Sequence, residues 1–235
     1  MALPKVNAAT YETTIPSTGR AVKYRPYLVK EEKILMIALE SQDQKQVLGA
    51  VKEVIESCVF DDINVDELAI FDVEALFLSL RSKSVGEGVE VNIKCAECEL
   101  ENPHSVDLQE IEIPTVDQEK GVVMITDDVG VTMRYPTFND MEDRTEEELQ
   151  SIAGIMDLIT VCIDTIFDED SVHKGSDQTK KELTEFVDSL NSEQFEKLGN
   201  WFENMPAISY DLTFDCVGCK TNNSQTLRGL QSFFT

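Results

Sequence analysis

Histidine is scarce, with 2 in 235 residues, and tryptophan occurs once. So little imidazole leaves a His-based catalytic or metal centre almost nothing to work with. Basic residues are also few: 20 lysines and arginines stand against 45 aspartates and glutamates, a formal net charge of -25. Such a surface repels a phosphate backbone and argues against nucleic acid as the main partner. The densest basic stretch, Lys23, Arg25, Lys30 and Lys33, is a small patch within the acidic total. No segment approaches the length of an apolar membrane span. The first residues, Met1-Ala2-Leu3-Pro4-Lys5-Val6-Asn7, lack the apolar run of a signal peptide. The expectation is a soluble, cytoplasmic chain with no membrane partner.

Catalytic signatures are missing as well. No GxSxG, HExxH or Walker pattern occurs, and Gly86-Glu87-Gly88 has neither a third glycine nor a following Lys-Ser/Thr. The acidic run from Asp140 to Glu148 lacks the alternating ligands and central glycine of a calcium loop, and reads as a solvated helix start. No catalytic residue and no enzyme activity is expected.

The chain does have an apolar share of 42%, enough for a conventional core. Thr13, Thr14 and Ile15 favour a strand before the turn Pro16-Ser17-Thr18-Gly19. Apolar residues at three-to-four spacing predict helices over 28–40, 43–58 and 72–83. From Val89 the period drops to two, which predicts a strand running into Cys95, with others at 105–108, 122–126 and 129–135 and a hairpin turn at Asp127-Asp128. Thr145-x-x-Glu148 is a capping box, and Leu149, Ile152, Met156, Ile159, Ile163 and Ile166 predict one long helix. Its other side carries Ile155, Leu158 and Val161, so that helix is either central to the fold or buried against a partner. Residues 168–181 read as an exposed loop, and Thr179-x-x-Glu182 caps the first of two short helices. Phe195, Leu198, Trp201 and Phe202 lie on one side of the second. Strands return at Ile208, and Leu227 to Phe234 forms an apolar tail.

The fold class is therefore α+β: a helical body with a small antiparallel β part. Residues 1–87 would hold an extended segment and helices, 88–136 together with 207–235 the β part, and 137–206 a helical insertion.

The six cysteines carry the sharpest signal. Val89-Glu90-Val91-Asn92-Ile93-Lys94-Cys95-x-x-Cys98 and Tyr210-Asp211-Leu212-Thr213-Phe214-Asp215-Cys216-x-x-Cys219 share one pattern, each with an asparagine (Asn102, Asn223) four residues on. An alternating strand that enters CxxC and leaves through a turn is the layout of a zinc knuckle. One knuckle supplies two thiolates and a structural zinc takes four, so Cys95, Cys98, Cys216 and Cys219 are the expected ligands of one Zn²⁺ in a split, zinc-ribbon-like site. The long stretch between the halves is tolerable because loop-closure entropy grows only logarithmically with length. The rival readings of these thiols are a dithiol redox site and reduced structural cysteines. Glu99 and Lys220 stand after the second cysteine of each pair, where glycine is usual, and predict a distorted turn. His104 is a solvated or edge residue before it is a substitute ligand, His173 lies in a polar loop, and Cys58 and Cys162 sit on apolar helix faces as core residues.

The runs Ile15-Pro16-Ser17-Thr18-Gly19 and Val22-Lys23-Tyr24-Arg25-Pro26-Tyr27-Leu28-Val29-Lys30-Glu31-Glu32-Lys33-Ile34-Leu35 resemble the signature of baseplate hub proteins of T-even-type contractile-tailed bacteriophages. The paired CxxC strands and acidic middle are similar to that family too. The resemblance implies a protein acting in assembly of the tail baseplate hub, with other hub or wedge proteins as partners and room for an oligomer within the baseplate. It would work in the host cytoplasm during assembly and sit in the virion tail baseplate if it stays. The other functional reading is a cytoplasmic, acidic zinc-ribbon adaptor that binds a basic protein. Tyr24, Arg25 and Tyr27 are candidate partner-binding residues, because an arginine between aromatic rings beside a proline suits an interface anchor. Equally, the tyrosines pack on the first helix and Arg25 pairs with Glu31 or Glu32.

Overall fold

Alternation, caps and apolar stripes place the elements of the computed structural model, which describes residues 8–41, 43–113, 116 and 121–233. The chain divides into two compact units, one of residues 1–65, 71–115 and 206–235 and the other of residues 66–70 and 116–205. Residues 88–115 thus fall in the first unit and 116–136 in the second. The architecture is α+β, with small antiparallel sheets.

In the first unit, β1 (Tyr11–Thr14) pairs with β2 (Ala21–Tyr24), and Gly19 turns the chain between them at φ +68°. Helix α1 (Val29–Ser41) starts where Glu31 folds back to accept the Leu28 N–H at 2.8 Å. Helix α2 (Gln44–Cys58) is capped by Asp43, which accepts the Lys45 N–H at 3.0 Å. Helix α3 (Ile70–Ser84) follows. Then come two hairpins: β3 (Gly88–Lys94) with β4 (Glu101–Asp107), and, far along the chain, β9 (Ser209–Asp215) with β10 (Asn222–Arg228). In β3 the pattern is strict: Val89, Val91 and Ile93 are buried and their neighbours exposed. Those side chains join Leu78, Val106, Ile208, Phe214 and Leu227 in one core, each fully buried aliphatic contributing roughly 1.5–3 kcal/mol.

The second unit is built on the four-stranded order β5 (Val122–Met124), β6 (Gly130–Met133), β7 (Ile163–Phe167) and β8 (Val172–Lys174), all antiparallel. Its helices are α4 (Phe138–Glu142), α5 (Glu146–Gln150), α6 (Ile152–Val161), α7 (Lys180–Asp188) and α8 (Ser192–Glu203). Thr145 and Thr179 make the expected capping boxes, and Leu198 is fully buried with Phe195, Trp201 and Phe202 packed around it.

Two expectations are corrected here. The long helix from the Thr145 cap to Ile166 is instead α5, α6 and β7. Ser151 interrupts it: its hydroxyl donates to the Glu148 carbonyl and accepts the Gly154 N–H at 3.0 Å, ending one helix and capping the next. Past Cys162, the β-branched run of Ile163, Thr165 and Ile166 pairs with β6, where Val131 faces Ile166. Residues 168–181 are not all loop, because Val172–Lys174 forms the edge strand β8. All three of its residues are exposed, so no alternation marks it in the sequence. Among the described residues no helix is long and apolar enough to cross a membrane.

Candidate metal centre

Each CxxC lies in the tight turn of one hairpin. In the first, the Cys95 N–H donates to the Leu100 carbonyl (3.0 Å) and the Glu99 N–H to the Cys95 carbonyl (2.9 Å). In the second, the Cys216 N–H donates to the Thr221 carbonyl (2.9 Å) and the Lys220 N–H to the Cys216 carbonyl (3.0 Å). The two turns are therefore one structure made twice. Glu99 and Lys220 sit at φ 59° and 63°, the left-handed conformation a glycine would take. The distorted turn expected from these residues does not occur: they accept a cost of about 1–2 kcal/mol each, and the turn's hydrogen bonds hold them there.

The hairpins bring all four sulfurs together. The Sγ atoms of Cys95, Cys98, Cys216 and Cys219 lie within 4.8 Å of one another. Cys95 and Cys219 are 3.6 Å apart, as are Cys98 and Cys216. A disulfide would need about 2.05 Å. A tetrahedron with metal–sulfur bonds of about 2.3 Å has edges of about 3.8 Å, so the donor set and its spacing fit a tetrahedral metal such as zinc. Cys95 and Cys216 are buried, whereas Cys98 and Cys219 are exposed.

Electrostatics point the same way. The Cys98 N–H, followed by the Glu97 N–H, lowers the Cys95 thiol below its ordinary value. The Cys219 N–H leads the set that brings Cys216 to about 6 despite burial. At Cys98 the Leu100 N–H acts downward, but the neighbouring Cys219 and Cys216 sulfurs outweigh it and push the thiol up to about 12. Four thiols this close cannot all ionise beside one another, and a divalent cation removes that conflict.

Around the sulfurs, Asn102 Oδ1 accepts the Val217 N–H at 2.8 Å and Asn223 Oδ1 accepts the Ala96 N–H at 3.0 Å, each reaching the opposite hairpin. Asn223 Nδ2 also donates to the Cys95 sulfur at 3.5 Å. An ideal Cβ on Gly218 would lie 2.7 Å from Leu100 of the other turn, so that position takes only glycine without a shift. The shared asparagines were visible in the aligned repeat; the Leu100 contact left no signal in the sequence.

The remaining candidates lie elsewhere. The His104 ring packs against Phe214, with centroids 4.6 Å apart and planes tilted by 54°, and is not in the thiol cluster. Burial pushes Cys58 up to about 11 and Cys162 up to about 12, which keeps both protonated. Tyr24 and Tyr27 are buried, and the Tyr24 hydroxyl donates to the Ser79 carbonyl. Arg25 donates to Glu31 at 2.8 Å, to the Ser57 carbonyl at 3.0 Å and to the Pro26 carbonyl at 3.0 Å.

Comparison with known proteins defines the class. The family described as T4 bacteriophage base plate protein matches residues 8–235, and the chain belongs to it. Among its relatives is the baseplate hub assembly protein gp26 of Enterobacteria phage T4, 21% identical over 224 residues, which cover 95% of this chain and 97% of that protein. No solved structure matches significantly.

Proposed function

We propose that this protein is a structural or assembly component of a phage tail baseplate hub, working through protein–protein contacts around a zinc-stabilised scaffold rather than through catalysis. The family match across residues 8–235 carries this reading and favours it over a cytoplasmic adaptor. Zinc held by Cys95, Cys98, Cys216 and Cys219 would tie the middle of the chain to its end in a split zinc-ribbon-like unit, with metal binding contributing on the order of 10 kcal/mol to the folded state. Tyr24, Arg25 and Tyr27 serve as a brace that fixes α1 for contact with hub or wedge partners; the Arg25–Glu31 pair supports this role. The acidic surface keeps the protein off nucleic acid in the host cytoplasm, where assembly takes place.

The test is a phage lacking this chain, with mass spectrometry of purified virions beside infected-cell lysate. Loss of complete baseplates is expected. Presence of the chain in virions marks a built-in subunit, and presence in lysate alone marks an assembly factor. Normal particles from the deletion phage would overturn the hub role.

A further inference from the structure

Helix α1 has two apolar sides. Its inner side, where Leu35 and Ala38 are buried, packs on α2. Its outer side is open: Val29 is 79% exposed, Met36 58% and Ile37 55%, with Leu39 at the margin 46% exposed. At about 3.6 residues per turn, Val29, Lys33, Met36, Ile37 and Glu40 fall within an arc of about 100°, opposite the buried side. A surface helix ordinarily turns polar residues outward, so a contiguous outward apolar stripe marks a contact surface. Glu31, held by Arg25 and by the Leu28 N–H, fixes the start of the helix that presents it.

Two charges within the stripe say what it meets. Lys33 and Glu40 are exposed, and neither pairs with another described residue of its own chain. Lys30, by contrast, is held by Glu31 at 3.0 Å. Lys33 and Glu40 lie two turns apart, equidistant from the midpoint between Met36 and Ile37. A twofold axis at the level of that midpoint lays a second α1 antiparallel on the first. Lys33 of each copy then faces Glu40 of the other, and Met36 and Ile37 of both copies gather around the axis. The stripe is thus complementary to itself in charge as well as in apolar content, which an isologous contact requires and a surface shaped for an unrelated chain does not. Repulsion between copies is also weakest here. Each chain carries -25, but the stripe holds one cation and one anion, and the densest basic stretch, Lys23, Arg25, Lys30 and Lys33, runs into the start of α1.

We infer that α1 is the contact of a symmetric dimer, in which two copies of this chain meet through Val29, Lys33, Met36, Ile37 and Glu40. The inference rests on the reading of α1 as a contact helix and gives that helix a second copy as its first partner, ahead of any hub or wedge protein. The test is sedimentation equilibrium of the full chain over a range of concentrations.

The parent chain should pass from monomer to dimer as concentration rises, and Met36→Ser with Ile37→Ser should raise the dissociation constant at least tenfold. Lys33→Glu and Glu40→Lys should each raise it severalfold, because each sets like charges across the axis. Combining the two substitutions in one chain, or mixing the two single variants, should restore the parent's affinity. The charge variants alter exposed side chains with no partner among the described residues of the chain, so they keep the test valid if the apolar variant misfolds. The control Ile152→Ser with Ile155→Ser, on the exposed side of α6, should leave dimerisation unchanged. A parent chain that stays monomeric up to its solubility limit, a dimer indifferent to the α1 variants, equal loss in the α6 control, or no recovery on combining or mixing the charge variants would overturn the assignment. A deletion phage that yields normal particles sinks the hub role and leaves the dimer standing, whereas a monomeric parent chain sinks the dimer and leaves the hub role standing.

Discussion

Asn102 and Asn223 each hold the turn of the opposite hairpin, through the Val217 N–H at 2.8 Å and the Ala96 N–H at 3.0 Å. The two asparagines are buried, so each N–H loses its partner if the amide is removed, at about 1–3 kcal/mol. Asn102→Ala and Asn223→Ala should therefore destabilise to a similar degree. Asn223→Ala should also lower metal affinity, since Nδ2 donates to the Cys95 sulfur. Urea unfolding and competition with a chromophoric chelator measure the two effects. An undiminished affinity in both variants would show that the asparagines do no more than brace the turns.

For the cysteines the expected metal content is one zinc per chain, falling to none in Cys95→Ser and in Cys216→Ser. Chelation should open the first unit. Since Cys98 and Cys219 are exposed while Cys95 and Cys216 are buried, alkylation after chelation should reach the first pair earlier. Metal analysis that returns no zinc, with all four thiols alkylated at once in the native state, would remove the four-thiolate assignment.

Much of this centre was legible in the sequence because its parts are local. The strand alternation, the CxxC pairs and the asparagine four residues on sit within one hairpin each, and their duplication advertised the partner hairpin. Legibility ended where long-range pairing overrode local pattern. Ile163 and Ile166 fit helical spacing as well as a strand, and pairing with β6 decided between them. β8 carries no buried side to reveal it. The fate of Tyr24 and Tyr27 was equally hidden, because an aromatic pair beside an arginine reads the same whether it packs inward or faces a partner.

Two glycines in helices should respond to alanine in opposite directions. At Gly154 the added methyl would lie 1.9 Å from the Glu148 backbone carbonyl, which has no room to give without separating α5 from α6. Roughly 1–3 kcal/mol of destabilisation is expected, read as a lower urea midpoint. At Gly49, inside α2, nothing lies within 4 Å, and alanine should stabilise by about 0.5–1 kcal/mol through helix propensity alone. A neutral Gly154→Ala would contradict the close α5–α6 approach.

Glu31 and Glu74 should give the first unit pH dependences of opposite sign. Burial would raise the Glu31 carboxyl, but the Arg25 guanidinium, the Leu28 N–H and Lys30 together hold it at about 2. Its stabilisation is present above the ordinary value of 4.5 and is lost as pH falls from there through about 2. Glu31→Gln should erase that part of the acid slope and, by leaving Arg25 uncompensated beside Ser57, cost roughly 3 kcal/mol at neutral pH. Glu74 behaves in reverse. Burial raises it to about 7, only partly offset by the Leu230 N–H it accepts at 3.0 Å and by Arg228. The folded state then holds a proton that the unfolded chain releases, so stability declines as pH climbs from 4.5 to about 7 and levels off above. Glu74→Gln keeps an acceptor for Leu230 and should flatten that decline, making the variant more stable than the parent at pH 8. Urea unfolding of parent and variants at matched pH from 3 to 8 cancels the proton release that accompanies metal binding. A Glu74→Gln variant with the parent's slope between 4.5 and 7 would show that the Glu74 carboxyl titrates as an ordinary one.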